Sequence, residues 1–313
     1  MRWLLKIVAL ALCAAAHAQT YPTKTVRLIS GVTPGSASDT MARILAEKLS
    51  ATLGQPVIVE NRLGAGGLVG AKWVATQEPD GHNIMMYASA FTVSTLLNPG
   101  LDPKELVPVA TVATIPTILI TPPGRYQNAA AFVAAAKAQP GKLVCATAGV
   151  GSATHMALER FRYAAGFEVL NVHTKGAGEA LTEVVSGRAD CYFALVFQAQ
   201  KMRDSGKVDA HLVSGPKRSS LMPQLQTTVE AGYPNSDYNF WLGTLVAAKT
   251  PREIVERLHK EFNALVQSPE ISDRIRKLGA DPLTLSLADF QAMIDRELVE
   301  NAALIKKAGI KSN

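Results

Sequence analysis

The sequence predicts an α/β protein of two lobes, each a mostly parallel sheet flanked by helices, with a ligand cleft between the lobes. Three observations lead there. The chain has 313 residues, enough for two α/β domains at roughly 100 to 200 residues each even after loss of an N-terminal segment. Short β-branched runs alternate with helical segments, the pattern of parallel sheets covered by helices. A second series of the same kind begins near Pro122, with no low-complexity linker before it.

The chain opens "MRWLLKIVALALCAAAHA", with Arg2 and Lys6 ahead of an apolar run and an A-x-A site at Ala16-His17-Ala18. Residues 1 to 18 read as an export signal cleaved after Ala18. A membrane anchor needs an apolar span of about 20 residues, longer than this one. Leu12, ahead of Cys13, is too large for the usual lipoprotein signal. No later stretch is long and apolar enough to span a bilayer.

Strand-like runs follow at "TVRLIS", "PVIVEN", "HNIMMYAS" and "ATIPTILIT", separated by the helical segments "TMARILAEKLSATLG" and "GLVGAKWVATQ". In the first helix Met41, Ile44, Leu45, Leu49 and Leu53 recur at helical spacing and Gly54 stops it, so that face is core. The second series holds "KLVCATA", "EVLNVHT", "ADCYFALV" and "DAHLVS" with helical segments between them. After "NFWLGTLVAA" the chain is mostly helical from Pro251 through Ile310. The expected organisation is a first lobe of residues 19–120 and 244–313 and a second of 121–243, with strand-like segments near 111–121 and 241–248 carrying the chain across.

Charge excludes one class of partner. Without the signal, 30 Lys and Arg face 26 Asp and Glu, interspersed with one another. No basic stripe suited to nucleic acid is present. The mature chain keeps Cys145 and Cys191, each in a strand-like run; they can pair if those strands are neighbours, and two buried thiols are equally compatible with the sequence. The six histidines show no metal-ligand spacing, so no metal and no cofactor is expected.

Function is carried by turns. In open parallel sheets ligands sit beyond the carboxyl ends of strands, where helices begin. Three segments run strand, small-residue turn, helix: "LISGVTPGSASD", "MMYASAFTVS" and "CATAGVGSATHM". Each presents free N–H groups at the positive end of a helix, with hydroxyls at Ser36, Ser38, Ser89, Thr92, Ser152 and Thr154 available to cap or to touch a ligand. One such turn is explained by capping alone; two Gly-rich ones, one in each half, can grip a small anion. Asp39 in the first turn has Arg43 at i,i+4 to neutralise it, and is expected to organise the turn while the ligand meets amides from Gly35 to Ala37.

Two other chemistries fit poorly. Gly64, Gly66 and Gly70 give G-x-G-x-x-x-G, one residue longer than the dinucleotide fingerprint, so tight turning and close packing account for them. Ser152 lies three residues before His155, but no G-x-S-x-G elbow is present, and His155 reads as a capping or lining residue. An exported hydrolase is the weaker alternative, and no enzymatic activity is expected.

The segments "YPTKTVRLI", "PGSASDTMARILAEKLSATLGQPVIVENRLGAGGLVGAKWVA", "PDGHNIMM", "AGVGSATHMALERF", "VHTKGAGEALTEVVSGRAD", "TVEAGYP" and "WLGTLVAAKTP" together resemble the tripartite tricarboxylate transporter receptors, the Bug-type solute-binding proteins. The resemblance covers essentially the whole mature chain. It implies a type II periplasmic binding fold, location in the periplasm, a monomer, and capture of a small organic acid for delivery to membrane transporter subunits or a sensor protein. It also implies binding positions. These are Thr33, Gly35, Ser36, Ala37 and Asp39 in the first turn; Ser89 and Ala90 in the second; and Thr147, Gly149, Gly151, Ser152, Ala153, Thr154 and His155 in the third. Lys175 and Gly176 complete the wall. Val32, Ser36, Ala194 and Phe197 depart from the usual family residues, and imply a carboxylate ligand without a positive charge.

Overall fold

The computed structural model describes residues 21–311; the export signal expected over residues 1–18 lies outside the described residues. Among those described, no helix is long and apolar enough to cross a membrane.

In the first lobe β1 (Val26–Ser30) pairs in parallel with β2 (Val57–Asn61) and β3 (Asn83–Ala88). The crossovers are α1 (Ala37–Leu53) and α2 (Leu68–Ala75), and α3 (Ala90–Leu97) follows β3. Met41, Leu45 and Leu49 are fully buried against the sheet, and Gly54 ends α1 in the left-handed region with φ 68°, where a residue without Cβ is unstrained. Then β4 (Leu106–Thr114), β10 (Trp241–Ala247) and β11 (Asp281–Pro282) give the order β11-β4-β10-β3-β1-β2.

The second lobe has the order β7-β6-β8-β5-β9, from β5 (Thr117–Thr121), β6 (Val144–Thr147), β7 (Leu170–His173), β8 (Cys191–Leu195) and β9 (Asp209–Val213). Its helices are α4 (Ala129–Ala138), α5 (Ala153–Ala165), α6 (Ala177–Val185) and α7 (Val196–Asp204). The chain ends in α8 (Arg252–Gln267), α9 (Pro269–Lys277) and α10 (Leu287–Ala308). Both sheets are mixed. The units β1–β2–β3 and β6–β7–β8 are parallel, whereas β10 and β5, next to the crossings, run antiparallel to their neighbours. A strand that begins at a crossing starts at the end of the sheet where its neighbours finish, as Trp241 does beside Thr114 and Thr117 beside Leu195, so it runs opposite to them.

The crossings correct one expectation. The first lies at Ile115 and Pro116, between β4 and β5, inside the segment expected for it. The second lies upstream of β10: the Tyr238 N–H donates to the Ser214 carbonyl in the second lobe (2.6 Å), and the Phe240 carbonyl accepts from the Ile115 N–H (2.8 Å). Residues 241–247 pair throughout with first-lobe strands. Sheet membership therefore puts Thr117–Ile120 with the second lobe and Trp241–Gly243 with the first, a few residues from the boundaries expected from sequence. Cys145 and Cys191 lie opposite one another in β6 and β8 and form a disulfide.

A buried polar network joins the lobes behind the crossings. Ser89 Oγ lies 2.9 Å from the Tyr238 hydroxyl, and the Trp241 indole N–H donates to both Glu297 carboxylate oxygens at 2.9 and 3.0 Å. Thr92 Oγ1 is 3.2 Å from Glu297 and accepts from Asn301, which also accepts from Arg160 of α5. Burial raises the Glu297 carboxyl to about 7, against the hydrogen bonds from Trp241 and Thr92 and the nearby Arg160 charge. A raised folded-state pKa means that the folded chain holds this proton more tightly. Stability from this group is therefore full in acid and falls as pH rises from about 4.5 toward about 7. Glu297→Gln should remove that dependence: the variant gains on the order of 2 kcal/mol relative to the parent between pH 4 and pH 8. Urea unfolding across that range checks it, and equal pH slopes for the two proteins would refute it.

Candidate functional site

The cleft holds a cavity of about 310 Å³, lined from both lobes. It sits beyond the carboxyl ends of β1, β3 and β6, where α1, α3 and α5 begin. Ser38 of α1, Ala90 at the start of α3 and Ala153 at the start of α5 all line it. Three helices thus direct their positive ends and unpaired N–H groups into one space, which favours an anion there.

Two of those helices start with the same local structure. Gly35-Ser36-Ala37-Ser38-Asp39 and Gly151-Ser152-Ala153-Thr154-His155 share the pattern Gly-Ser-Ala-hydroxyl-acceptor. Gly35 and Gly151 are left-handed, with φ of 80° and 73°, and each following serine is extended at φ −66°. Each serine Oγ accepts the N–H three residues on, at 3.3 Å in both turns. The fifth residue then accepts the glycine N–H: Asp39 Oδ2 at 2.9 Å, His155 Nδ1 at 3.1 Å. The glycine supplies the backward bend, the serine caps the helix, and the fifth side chain ties the bend to the helix.

The two anchoring side chains differ electrically. Asp39 is fully buried and also accepts from Arg43 Nε (2.9 Å) and Asn61 Nδ2 (2.7 Å). Burial opposes its charge, but the hydrogen bonds from Arg43, Asn61 and Gly35 outweigh that and hold the carboxyl below its ordinary range. In the other turn burial pushes the His155 imidazole down to about 4, against the attraction of Glu159. A neutral ring with Nδ1 accepting from Gly151 carries its proton on Nε2, 3.8 Å from Glu159 Oε1. Ser152 Oγ contacts Thr154 Oγ1 and the His155 backbone N–H, while the His155 ring is turned to Gly151 and Glu159. Serine and imidazole are not arranged as nucleophile and base.

The positions expected from sequence divide into three groups. Ala90, Gly151, Ser152 and Ala153 line the cavity, as do Val32 and Ser38. Thr33, Gly35, Ser36, Asp39, Ser89, Thr147, Gly149, Thr154 and His155 lie in the same strand ends and turns without being among the lining residues, and Ala37 begins α1. Lys175, Gly176 and Ala194 are placed elsewhere: Lys175 is exposed, with its N–H given to Glu179, the Gly176 N–H points to Thr174 Oγ1, and Ala194 is buried in β8. Of the amides expected to meet the ligand, the Gly35 N–H is held by Asp39 and the Ser36 N–H by the Thr33 carbonyl. A Cβ on Gly35 would meet no other protein atom within 4 Å, and glycine suits the position by its positive φ.

The sequence did not reveal Met86, Tyr87 and Ala88 at the end of β3, Leu242 in β10, or Phe240 at the second crossing, all of which line the cavity. Gly31, Gly66, Gly67, Ser94, Ala148 and Val150 complete the lining. Among the glycines after β2, a Cβ on Gly64 would lie 2.7 Å from the Val69 side chain and one on Gly70 3.2 Å from the Arg62 carbonyl, while one on Gly31, after β1, would lie 2.5 Å from the Gly67 Cα and one on Gly67 2.9 Å from the Tyr87 ring. The Tyr87 hydroxyl donates to the Gly66 carbonyl at 3.0 Å, fixing this turn as a wall. Among the described residues no charged side chain lines the cavity, and no cluster of His, Cys, Asp or Glu is placed to hold a metal.

Two mixed α/β lobes around a cleft fed by helix N-termini define a solute-binding protein of the periplasmic type. The model of the tripartite tricarboxylate transporter family receptor matches residues 41–310, and the chain belongs to that family. It is 29% identical to Protein BugT of Bordetella pertussis (strain Tohama I) over 311 residues, covering 97% of this chain and 95% of that one. Among solved structures it is similar to an R. palustris protein with adipate, at TM-score 0.79 and 27% identity over 93% of this chain and 99% of that one. It is also similar to MatC from Rhodopseudomonas palustris with bound malate, at TM-score 0.75 and 25% identity over 91% and 100% of the two chains.

Proposed function

We propose that the mature chain, released in the periplasm after cleavage following Ala18, captures a small organic carboxylate between its lobes and delivers it to membrane transporter subunits. The observation that carries this is the convergence of the α1, α3 and α5 N-termini on one uncharged cavity. A carboxylate there receives N–H groups and helix dipoles without needing a basic side chain. The ligand-bound relatives support the class of solute: one is described with adipate, the other with malate. We read binding as non-catalytic, because the His155 ring is turned to Gly151 and Glu159 and is not placed as a base for the Ser152 hydroxyl.

A thermal-shift screen of organic acids on the purified mature protein tests this. An acid at about 100 times its dissociation constant should add about 2.7 kcal/mol of stability, and its recovery unchanged after prolonged incubation is expected. A screen in which no carboxylate raises the melting temperature, or conversion of the bound acid by the protein, would overturn the proposal.

A further inference from the structure

The second crossing and α3 each present one face to the cleft and the opposite face to α10. Phe240 and Leu242 line the cleft cavity, while Asn239 and Trp241 reach α10 through the Met293 sulfur (3.6 Å) and Glu297 (2.9 Å), the alternation of an extended chain. On α3, Ala90 and Ser94 line the cleft, and Thr92 on the other side of the helix bonds Glu297 and Asn301. Helix α10 therefore lies behind the hinge. Its first half belongs to the first lobe, with Phe290, Met293 and Ile294 packed in one cluster with Trp241. Its second half reaches the second lobe: Arg160 Nη2 donates to Glu300 at 2.9 Å and to Asn301 at 3.2 Å, the Tyr163 hydroxyl donates to the Lys307 carbonyl at 2.9 Å, and Leu304 and Ile305 touch the second-lobe core. Helix α5 spans both sides, lining the cleft at Ala153 and meeting α10 at Arg160 and Tyr163. A cavity of about 700 Å³ remains between α5, α10 and residues 234–239, which leaves the two helices room to shift against one another.

We propose that α10 is a latch behind the hinge: its bonds with Arg160 and Tyr163 hold the lobes apart, and capture of the acid requires those bonds to loosen. This rests on the binding function proposed above. The cleft is open to solvent, since its lining residues Val32 and Gly66 are exposed. A rotation of the second lobe about the crossings that brings the α5 N-terminus toward the first lobe swings the later turns of the same helix the other way. Arg160 and Tyr163 lie about 10 to 15 Å beyond Ala153 at the helical rise of about 1.5 Å per residue, so they are carried away from α10. Closure is thus opposed by the α10 bonds, and affinity is lowered by the preference they give the open arrangement. They act on the lobes and not on the acid, because none of Arg160, Tyr163, Glu300 and Lys307 lines the cleft.

Distances across the cleft of the mature protein test this without a ligand. Leu63 and Lys175 follow β2 and β7 at the cleft ends of the two sheets, and both are exposed. Spin labels on Leu63→Cys and Lys175→Cys report the separation of the lobes by double electron–electron resonance; Cys145 and Cys191 are joined to one another and take up no label. Adding Tyr163→Phe and Glu300→Ala, which break the α10 bonds from the two sides, should shift the ligand-free distances to shorter values. In the unlabelled protein the same two changes should tighten binding of an acid found by the screen at least about threefold. Arg188→Gln, which breaks an ion pair with Glu183 inside the second lobe, should change neither. Unchanged or longer distances, an affinity that is unchanged or weaker, or an equal shift from Arg188→Gln would overturn the latch. A screen in which no acid binds the parent would overturn the receptor function, and the ligand-free distances would still decide whether α10 holds the lobes apart.

Discussion

Replacing Cys145 and Cys191 together by alanine is expected to lower the stability of the mature protein by about 4 kcal/mol, the loop-closure value for their separation of 46 residues. The cross-link joins β6 to β8 at the centre of the second sheet, and both cysteines are fully buried. Alanine is the informative replacement, because serine would add a buried hydroxyl in need of a partner. Neither cysteine lines the cavity, so affinity for the acid should stay within about threefold in conditions where the variant remains folded, a change under 1 kcal/mol. Urea unfolding of parent and variant measures the loss. A difference below about 1 kcal/mol would mean that the unfolded chain is already restricted without the bond.

The same pair shows what the sequence could and could not supply. Two cysteines in strand-like runs were legible, but their opposition depends on β6 and β8 being neighbours, which only the sheet order decides. Periodicity was sufficient for α1, because Met41, Leu45 and Leu49 face one core and Gly54 closes the helix. The anion-facing turns were legible for a similar reason: glycine, serine and a helical pattern lie within a few residues of each other in both "PGSASD" and "VGSATH". The apolar wall was not. Met86 and Leu242 look like ordinary core residues of buried strands, and they reach the cavity only because β3 and β10 pair side by side, β3 ending and β10 beginning at the cleft. Phe240 lines the cavity because the chain crosses between lobes there, and the crossing was expected further along. Lys175 shows the converse: the family resemblance implied a wall position, whereas here the chain exposes it and its N–H donates to Glu179.

Asp39→Ala is expected to cost about 3 kcal/mol, toward the lower end for breaking a buried ion pair because Arg43 is half exposed and recovers its hydration. The loss comes mainly from the donors left behind. Gly35 N–H, Arg43 Nε and Nη2, and Asn61 Nδ2 all point at the two carboxylate oxygens, and Asn61 also donates to the Val32 carbonyl, which ties the first turn to β2. Every neighbour is a donor, so Asp39→Asn should be no milder than alanine: its amide would set a further N–H against existing ones. The pH dependence has a fixed sign. A carboxyl held below its ordinary range contributes stability that is present above the unfolded-state pKa of about 3.9 and is lost as pH falls through the lower folded value. The gap between parent and variant should therefore be constant from neutral pH down to about 5 and shrink in stronger acid. Binding separates two roles for the residue. If Asp39 serves to hold Gly35 and Val32 in place, its removal loosens the wall and weakens binding of the acid found by the screen about tenfold, near 1.4 kcal/mol. If its charge chiefly repelled the ligand, the same substitution would tighten binding, and the turn would have to be understood as anchored by Ser36 and Asn61 without it.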